Sequence, residues 1–264
     1  MVTGVLATEV VGGDGVDAGA PLALLHGFTQ TGRSWSSLAE RLAETRPVVL
    51  VDAPGHGRSV DHRLNLWSAG RELVRTVGEA DLLGYSMGAR ICLHAAVAAP
   101  TQVRRMVLVG ATAGIADPEA RARRRADDLA LADSIEQGGD RALPEVLRRW
   151  LAGPLFGSLS IEAAGLEARL ENTAAGLASS LRLCGTGSQE PLDDQLSLLT
   201  MPVLLIVGER DSRFREEGER LAAGIPQAEL ALVEGAGHAC HLEQPDAFLE
   251  LVETWLMKTA PTPA

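Results

Sequence analysis

The chain has 264 residues, of which 46% are hydrophobic and 22% are charged, and its formal net charge is −11. This length suits one large domain or one domain with an insertion, and the apolar content is enough for a sizeable core, which argues against disorder. The acidic balance argues against a general nucleic-acid-binding protein, because such proteins carry a basic face.

Three features of the sequence indicate the cellular compartment of the protein. No apolar run reaches the ~20 residues of a membrane span. The start, "MVTGVLATEV", lacks the basic segment followed by an apolar segment that is typical of a signal peptide. The three cysteines (Cys92, Cys184 and Cys240) are an odd number without paired spacing, which favours a reducing compartment over a disulfide framework. We therefore expect a soluble, cytoplasmic protein that has no membrane or nucleic-acid partner.

Six short apolar runs bounded by glycine, proline or aspartate occur along the chain. Most of them do not alternate with polar residues, which predicts strands buried on both faces. Helix-compatible segments such as 34–45 and 87–99 separate the runs, so the predicted fold class is α/β, with a mostly parallel central sheet flanked by helices. The runs lie at 21–27, 47–55, 80–86, 104–112, 201–211 and 228–237.

The segment from Ile115 to Leu199 contains no strand-like run and is rich in charged residues, alanine and leucine. It is too long for a loop in a compact domain, so it predicts a helical cap over the carboxyl edge of the sheet, where ligands bind in open α/β folds. We expect a discontinuous core of residues 1–112 and 201–258, a cap of residues 113–200, and a frayed tail of residues 259–264.

The sequence "GYSMG" (84–88) follows a predicted strand and opens a predicted helix. This context is required of a nucleophile elbow, in which small flanking residues permit a strained turn that exposes the serine hydroxyl. The alternative is a strand-to-helix connection in which Ser86 only caps the helix. The strand before it and the helix after it favour a catalytic Ser86.

A catalytic serine needs a histidine, and that histidine needs an acid. Asp211 ends the run "VLLIVGERD" and His238 follows "AELALVEGAG", so both are expected at the same sheet edge as Ser86. Asp211 could instead be a turn residue and His238 a surface or capping histidine. His241 competes with His238, which we prefer because it directly follows the strand-ending glycines. Ser86, Asp211 and His238 are the predicted triad.

The run "LLHGFT" (24–29) follows the first clear strand. Its Gly27 lets the backbone approach a ligand, so the amides of Phe28 and Met87 are the predicted oxyanion donors. His26 is expected to be a structural hydrogen-bonding residue. His56 lies in the tight loop "DAPGHGRS" (52–59), and we expect it to be buried or to fix the conformation of that loop.

The six histidines do not form a recognisable metal motif, and the sequence contains neither GxGxxG nor GxxxxGK[ST]. We therefore expect neither a metal nor a cofactor. The histidines are His26, His56, His62, His94, His238 and His241.

Taken together, the motifs HG-F, D-x-PGHG-x-S, G-x-S-x-G, GERD and GAGH resemble the α/β-hydrolase superfamily. A narrower resemblance is to the 2-succinyl-6-hydroxy-2,4-cyclohexadiene-1-carboxylate synthases, the menaquinone-pathway members of that superfamily. It rests on core and cap segments in matching order. They are "GYSMGAR", "RARRRADDLALADSIE" (121–136), "RWLAGPLFGSL" (149–159), "RLENTAAGLASSLRLCGTGSQEPL" (169–192), "GERDSRF" (208–214) and "GAGHACHLEQP" (235–245).

This resemblance implies a lyase whose substrate is a small polycarboxylate with a succinyl arm and an enolpyruvyl ether. Such an enzyme removes a ring proton and expels pyruvate, without consuming water. Ser86 would be the general base, activated by His238 and oriented by Asp211. The Phe28 and Met87 amides would stabilise negative charge on the succinyl carbonyl.

The resemblance also implies the substrate-binding residues. Arg90, one helical turn beyond the elbow, would bind a substrate carboxylate. Arg124 and Arg169 match the cap arginines of the family, and Trp150 would supply an apolar wall. Tyr85 of the elbow motif is also expected to bind substrate. Local positive charge would then let a chain of net charge −11 bind an anion.

Alternatives remain for the two cap arginines. Arg124 lies in a basic run, which is usually a solvated helix face, and Arg125 is its rival for the pocket. Arg169 could instead be an exposed partner of neighbouring acids.

Two other functions use the same residues. A serine hydrolase, either a carboxylesterase or a carbon–carbon bond hydrolase, could act on an anionic substrate with the same triad. A non-catalytic carboxylate-binding module is the second alternative, against which an intact triad argues. Whether the chain is a monomer or a homo-oligomer stays open.

Overall fold

The computed structural model describes residues 5–12 and 20–259. Within these ranges one sheet of seven strands forms the centre of the molecule, in the order β1–β3–β2–β4–β5–β6–β7. The strands are β1 (Thr8–Val11), β2 (Leu22–Leu25), β3 (Val48–Val51), β4 (Ala80–Tyr85), β5 (Val103–Val109), β6 (Val203–Gly208) and β7 (Ala228–Val233).

All strand pairs are parallel except the antiparallel pair of β1 with β3. Strand β2 lies between β3 and β4, so that Leu22 is in register with Val48 on one side and with Asp81 on the other. The chain therefore moves outward from β2 to β3 and then returns to the opposite side of β2. A crevice opens at such a reversal beyond the carboxyl ends of the strands. The loops after β2 and β4 lie on either side of this crevice.

Helices cover both faces of the sheet, which explains why strands β2, β4 and β6 are buried along their whole length. One face packs against α2, α3 and α8, and the other against α1 and α10. The helices of the core are α1 (Ser36–Leu42), α2 (Leu66–Val77), α3 (Met87–Ala98), α8 (Ser212–Gly224), α9 (Cys240–Glu243) and α10 (Pro245–Lys258).

The remaining helices lie between β5 and β6: α4 (Pro118–Leu151), α5 (Ile161–Ala164), α6 (Leu166–Arg169) and α7 (Ala174–Cys184). Helix α4 is interrupted at Gly139, whose φ of 62° and ψ of −175° are not helical. Apolar residues of α4 and α7, such as Ile135, Leu147 and Leu177, form a separate small core. The Phe28 side chain of the sheet edge packs against this cluster and joins the two layers.

The predicted fold class is confirmed, as are the helical nature of the inserted segment and the strands at all six apolar runs. The sequence did not predict strand β1, a half-exposed four-residue edge strand in which only two valines carry the apolar pattern. None of the helices in the described ranges is both long and apolar enough to cross a membrane. The predicted frayed tail, apart from Thr259, lies outside the described residues.

Candidate active site

Ser86 lies between β4 and α3 in a strained backbone conformation, with φ of 52° and ψ of −105°. The flanking glycines make this turn possible. A Cβ atom on Gly88 would lie 2.4 Å from the carbonyl oxygen of Leu25, and one on Gly84 would lie 2.6 Å from the amide nitrogen of Ala89. Strain of this kind is maintained only where the surrounding structure enforces it, and it is concentrated at functional sites.

The side chains of Ser86, His238 and Asp211 form one hydrogen-bonded chain. The Nε2 atom of His238 lies 3.1 Å from Ser86 Oγ, and its Nδ1 atom lies 2.8 Å from Asp211 Oδ2. With the proton on Nδ1 donated to the carboxylate, Nε2 can accept the serine proton. The three residues come from the ends of β4, β6 and β7, which parallel pairing brings to one edge.

The surroundings of His238 restrict its imidazole to this position. Phe214 packs on the ring with a centroid distance of 4.3 Å, and Tyr85 lies on another side at 5.3 Å. Asp211 is fixed as the N-cap of α8, because its Oδ1 atom accepts a hydrogen bond from the Phe214 amide at 3.3 Å.

The loop after β2 provides two candidate oxyanion donors together with the elbow. Within the described residues, the backbone N–H groups of Phe28 and Met87 donate no hydrogen bond, and both residues line the cavity that contains Ser86. Unpaired amides beside a serine that lines a cavity are suited to stabilising negative charge on a substrate oxygen.

Three side chains hold Thr29, the next residue of this loop, which has a positive φ of 69°. His56 Nε2 accepts a hydrogen bond from the Thr29 amide at 3.2 Å, and Arg169 donates to the Thr29 hydroxyl. Asn172 Nδ2 donates to the Thr29 carbonyl at 2.8 Å, while its Oδ1 atom accepts from the Gly57 amide at 2.9 Å. The amide, hydroxyl and carbonyl of Thr29 are therefore all hydrogen-bonded, and two of these three partners, Arg169 and Asn172, belong to the cap.

A partly open cavity with a volume of about 80 Å³ lies above Ser86. Core and cap both contribute to its wall, which combines guanidinium groups with apolar and aromatic side chains. The lining residues are Phe28, Ser86, Met87, Arg90, Arg124, Trp150, Leu155, Ser180, Leu181, Cys184, Gly185, Thr186, Arg213 and Phe214.

Arg90 and Arg124 bring positive charge into this cavity. Arg90 donates to the Cys184 carbonyl at 2.7 Å, and burial lowers its pKa from 12.5 to about 10, so it stays protonated at neutral pH. Arg124 donates through Nε to Asp128 at 2.8 Å. Arg90 Nη1 also donates to Gln189 Oε1 at 3.5 Å. Each guanidinium is thus oriented through one of its nitrogen atoms and keeps other N–H groups for a ligand. Arg125, the rival of Arg124, is exposed and does not line the cavity.

A sequence model described as "Alpha/beta hydrolase family" matches residues 22–251. The chain belongs to the α/β-hydrolase family. This α/β hydrolase is also similar over most of its length to proteins named 2-succinyl-6-hydroxy-2,4-cyclohexadiene-1-carboxylate synthase. The protein of that name from Serratia proteamaculans (strain 568) is 31% identical over 242 residues, which cover 88% of this chain and 91% of the relative. The one from Klebsiella pneumoniae subsp. pneumoniae is 30% identical over 248 residues, with 89% and 94% covered.

Solved structures are also similar to this chain. MenH from S. aureus superposes with a TM-score of 0.90 at 26% identity, covering 96% of this chain and 99% of that one. An esterase from Thermogutta terrifontis superposes with a TM-score of 0.81 at 23% identity, covering 97% and 94%. The second similarity concerns the fold alone. Relationship to the synthases confirms the family resemblance expected from the motifs.

Two residues predicted to bind substrate do not line the cavity of this α/β hydrolase. Arg169 is buried below the loop after β2, where Nε donates to the Ala164 carbonyl at 2.7 Å and Nη1 donates to Thr29. It is therefore not the exposed ion-pair partner considered as its alternative. Tyr85 is buried against His238 and His241, and burial raises the pKa of its hydroxyl. Arg169 therefore contacts the loop after β2, and Tyr85 contacts His238, but neither side chain reaches the cavity.

The other histidines near the site are buried and structural in their contacts. His241 packs between Trp35 and Tyr85, and burial lowers its pKa to about 3. His26 Nε2 accepts from the Ala53 amide at 2.9 Å, so His26 and His56 both fix loops. Within residues 5–12 and 20–259, no cluster of three or more histidine, cysteine or acidic side chains could hold a metal ion.

Several residues of the site were not singled out from the sequence. Arg213 and Phe214 lie in the "GERDSRF" segment directly after Asp211, and this adjacency to the predicted acid was a usable signal. Asn172 precedes the helix start "TAAG", where it looks like an ordinary loop residue. Its contacts with Thr29 and Gly57 join segments more than a hundred positions apart, so no local pattern reveals them.

Proposed function

We propose that this α/β hydrolase is a lyase that eliminates pyruvate from 2-succinyl-5-enolpyruvyl-6-hydroxy-3-cyclohexene-1-carboxylate. The observation that carries the proposal is the pair of guanidinium groups, Arg90 and Arg124, in the same cavity as Ser86. An esterase for uncharged acyl chains gains nothing from two guanidinium groups beside its nucleophile, whereas a polycarboxylate substrate needs such cations. Similarity to the synthases over both core and cap supports the same activity.

The proposed reaction begins at the hydrogen-bonded chain of Ser86, His238 and Asp211. Ser86 passes its hydroxyl proton to His238 Nε2, 3.1 Å away, and its oxygen then removes a proton from the substrate ring. The electron pair of the broken C2–H bond forms a C2=C3 double bond, the existing C3=C4 electron pair moves to C4=C5, and the C5–O bond to the enolpyruvyl group breaks. The proton held by His238 passes to the leaving oxygen, and the released enol tautomerises to pyruvate. Water is not consumed, and no acyl-enzyme is formed.

Negative charge develops on the succinyl carbonyl while the ring proton is removed. The unpaired amides of Phe28 and Met87 are the donors for this oxygen. Each such donor typically contributes about 3–4 kcal/mol to transition-state stabilisation. Arg90 and Arg124 bind substrate carboxylates, and Trp150 closes the cavity next to Phe28, with a ring centroid distance of 5.5 Å.

The test supplies purified protein with the enolpyruvyl cyclohexene substrate, generated in situ, and follows pyruvate release together with the absorbance of the conjugated diene. Both signals are expected to rise together and to disappear in Ser86→Ala, which should still bind substrate. Ser36→Ala is the matched control, since Ser36 lies outside this cavity and its hydroxyl donates to the Arg33 carbonyl at 2.9 Å. A rate equal to the uncatalysed background, with turnover of simple esters, would instead assign the protein as a serine hydrolase for anionic substrates. Tight carboxylate binding without any turnover would assign it as a binding module.

A further inference from the structure

We propose that Arg213 is a third carboxylate-binding residue of this site. The inference rests on the proposed function, because the substrate named there carries three carboxylates: one on the ring, one on the succinyl arm and one on the enolpyruvyl group. The cavity wall contains three arginines, namely Arg90, Arg124 and Arg213. Arg169, the third arginine expected from the sequence, is committed to Ala164 and Thr29 instead.

The surroundings of Arg213 leave its guanidinium available. Within residues 5–12 and 20–259 no carboxylate lies at ion-pair distance from it. Glu217, one helical turn further on, contacts Thr112 and Arg220 instead. Asp211 is occupied by His238 and the Phe214 amide. Arg124 pairs with Asp128, and Arg90 is held by the Cys184 carbonyl, whereas the Arg213 guanidinium makes no hydrogen bond within the described chain.

The position of Arg213 on its helix supports a role other than stabilisation of the fold. It lies in the first turn of α8, where a cation is disfavoured by the helix dipole. The side chain is exposed and lies over the Phe214 ring, with Cζ 5.7 Å from the ring centroid. Phe214 in turn packs on His238 at 4.3 Å. This stacking holds the guanidinium close to the catalytic imidazole without neutralising it.

Arg213 also lies at a boundary between two cavities. Together with Leu155 it lines both the cavity above Ser86 and an adjoining depression of about 660 Å³, which is also lined by Arg210 and His238. A ligand that enters from the depression passes Arg213 before it reaches Arg90. The assigned role is therefore recognition of the carboxylate that stays nearest the entrance.

The experiment compares Arg213→Gln and Arg213→Lys with Arg215→Gln as the matched control. Arg215 is on the same helix and its substitution removes the same charge, but it does not line the cavity. Steady-state pyruvate release gives KM and kcat. Calorimetry gives the Kd of tricarballylate, a tricarboxylate that undergoes no reaction, and of glutarate, a dicarboxylate. All variants are checked by circular dichroism, and folding should be unaffected because the Arg213 side chain is exposed.

For Arg213→Gln we expect KM and the Kd of tricarballylate to rise roughly 10-fold, with kcat close to wild type and glutarate binding little changed, since one charge-assisted contact is lost. Arg213→Lys should recover part of this loss, and Arg215→Gln should match the wild type. If Arg213→Gln and Arg215→Gln behave alike while wild-type protein releases pyruvate, the inference is wrong and the proposed function stands. If wild-type protein releases no pyruvate yet binds tricarballylate in an Arg213-dependent way, the proposed function is wrong and the anion site stands.

Discussion

Asn172 offers a sharp test of the idea that the cap positions the oxyanion loop. Its side chain is buried, and its Nδ2 atom donates to the carbonyls of Thr29 at 2.8 Å, Arg169 at 3.1 Å and Gln30 at 3.4 Å. Its Oδ1 atom accepts from the Gly57 amide at 2.9 Å. Asn172→Ala removes all four bonds and leaves the buried Thr29 carbonyl and the partly buried Gly57 amide without this partner. Unsatisfied buried groups cost about 1–3 kcal/mol each, so we expect the free energy of unfolding to fall by about 2–4 kcal/mol.

The effect on catalysis should be larger than this loss of stability alone explains. Thr29 adjoins Phe28, whose amide is a predicted oxyanion donor, and its positive φ of 69° is maintained by these contacts. Loss of a whole donor costs about 10²–10³ in kcat, and a displaced donor costs less. We therefore expect kcat for pyruvate release to fall roughly 10- to 100-fold, with KM little changed because Asn172 does not line the cavity.

Asn65→Ala is the matched control for this experiment. Asn65 is also a hydrogen-bonding asparagine, and its Oδ1 atom accepts from the Ser68 amide at 2.9 Å as the N-cap of α2. Its loss should cost about 1 kcal/mol of stability and leave kcat unchanged. Kinetics are measured well below the melting temperature of each variant, and stability by urea unfolding. Wild-type kcat in a destabilised Asn172→Ala would refute the positioning argument, and so would an equal loss of kcat in Asn65→Ala.

Three further outcomes follow from the structure. Arg90→Ala should lose about 2–4 kcal/mol in kcat/KM for the polycarboxylate substrate, since a desolvated carboxylate loses its partner; near-wild-type kinetics would contradict its assignment. Gly88→Ala should prevent correct formation of the elbow, because its Cβ would lie 2.4 Å from the Leu25 carbonyl oxygen, and folded protein with normal activity would contradict this. Burial lowers the pKa of His56 from 6.5 to about 3, so between these values the unfolded chain binds a proton that the folded protein does not. The free energy of unfolding should therefore be highest above pH 6.5 and should decrease as the pH is lowered, with this histidine accounting for a loss of about 2 kcal/mol at pH 5. Equal free energies of unfolding at pH 7 and pH 5 would refute the assignment.

The sequence by itself determined the fold class and the order of the predicted catalytic residues. Strands buried on both faces must be apolar throughout, so their positions could be read from short unalternated runs. The elbow at Ser86 needs small residues on both sides, which is a local requirement visible as Gly84 and Gly88. Asp211 and His238 each follow a strand directly, and parallel strands end at one edge, so their meeting with Ser86 followed from chain order.

Only the tertiary structure decided which cap residues face the cavity. Arg124 and Arg125 are neighbours in one basic run, and the packing of α4 against α7 turns Arg124 toward the site and Arg125 toward solvent. Arg169 was expected in the cavity but is drawn beneath the oxyanion loop by the acceptors on Ala164 and Thr29. Arg213 lines the cavity in place of Arg169. The direction of a long side chain is set by the acceptors that the folded chain places around it, and these come from segments that lie far apart in sequence.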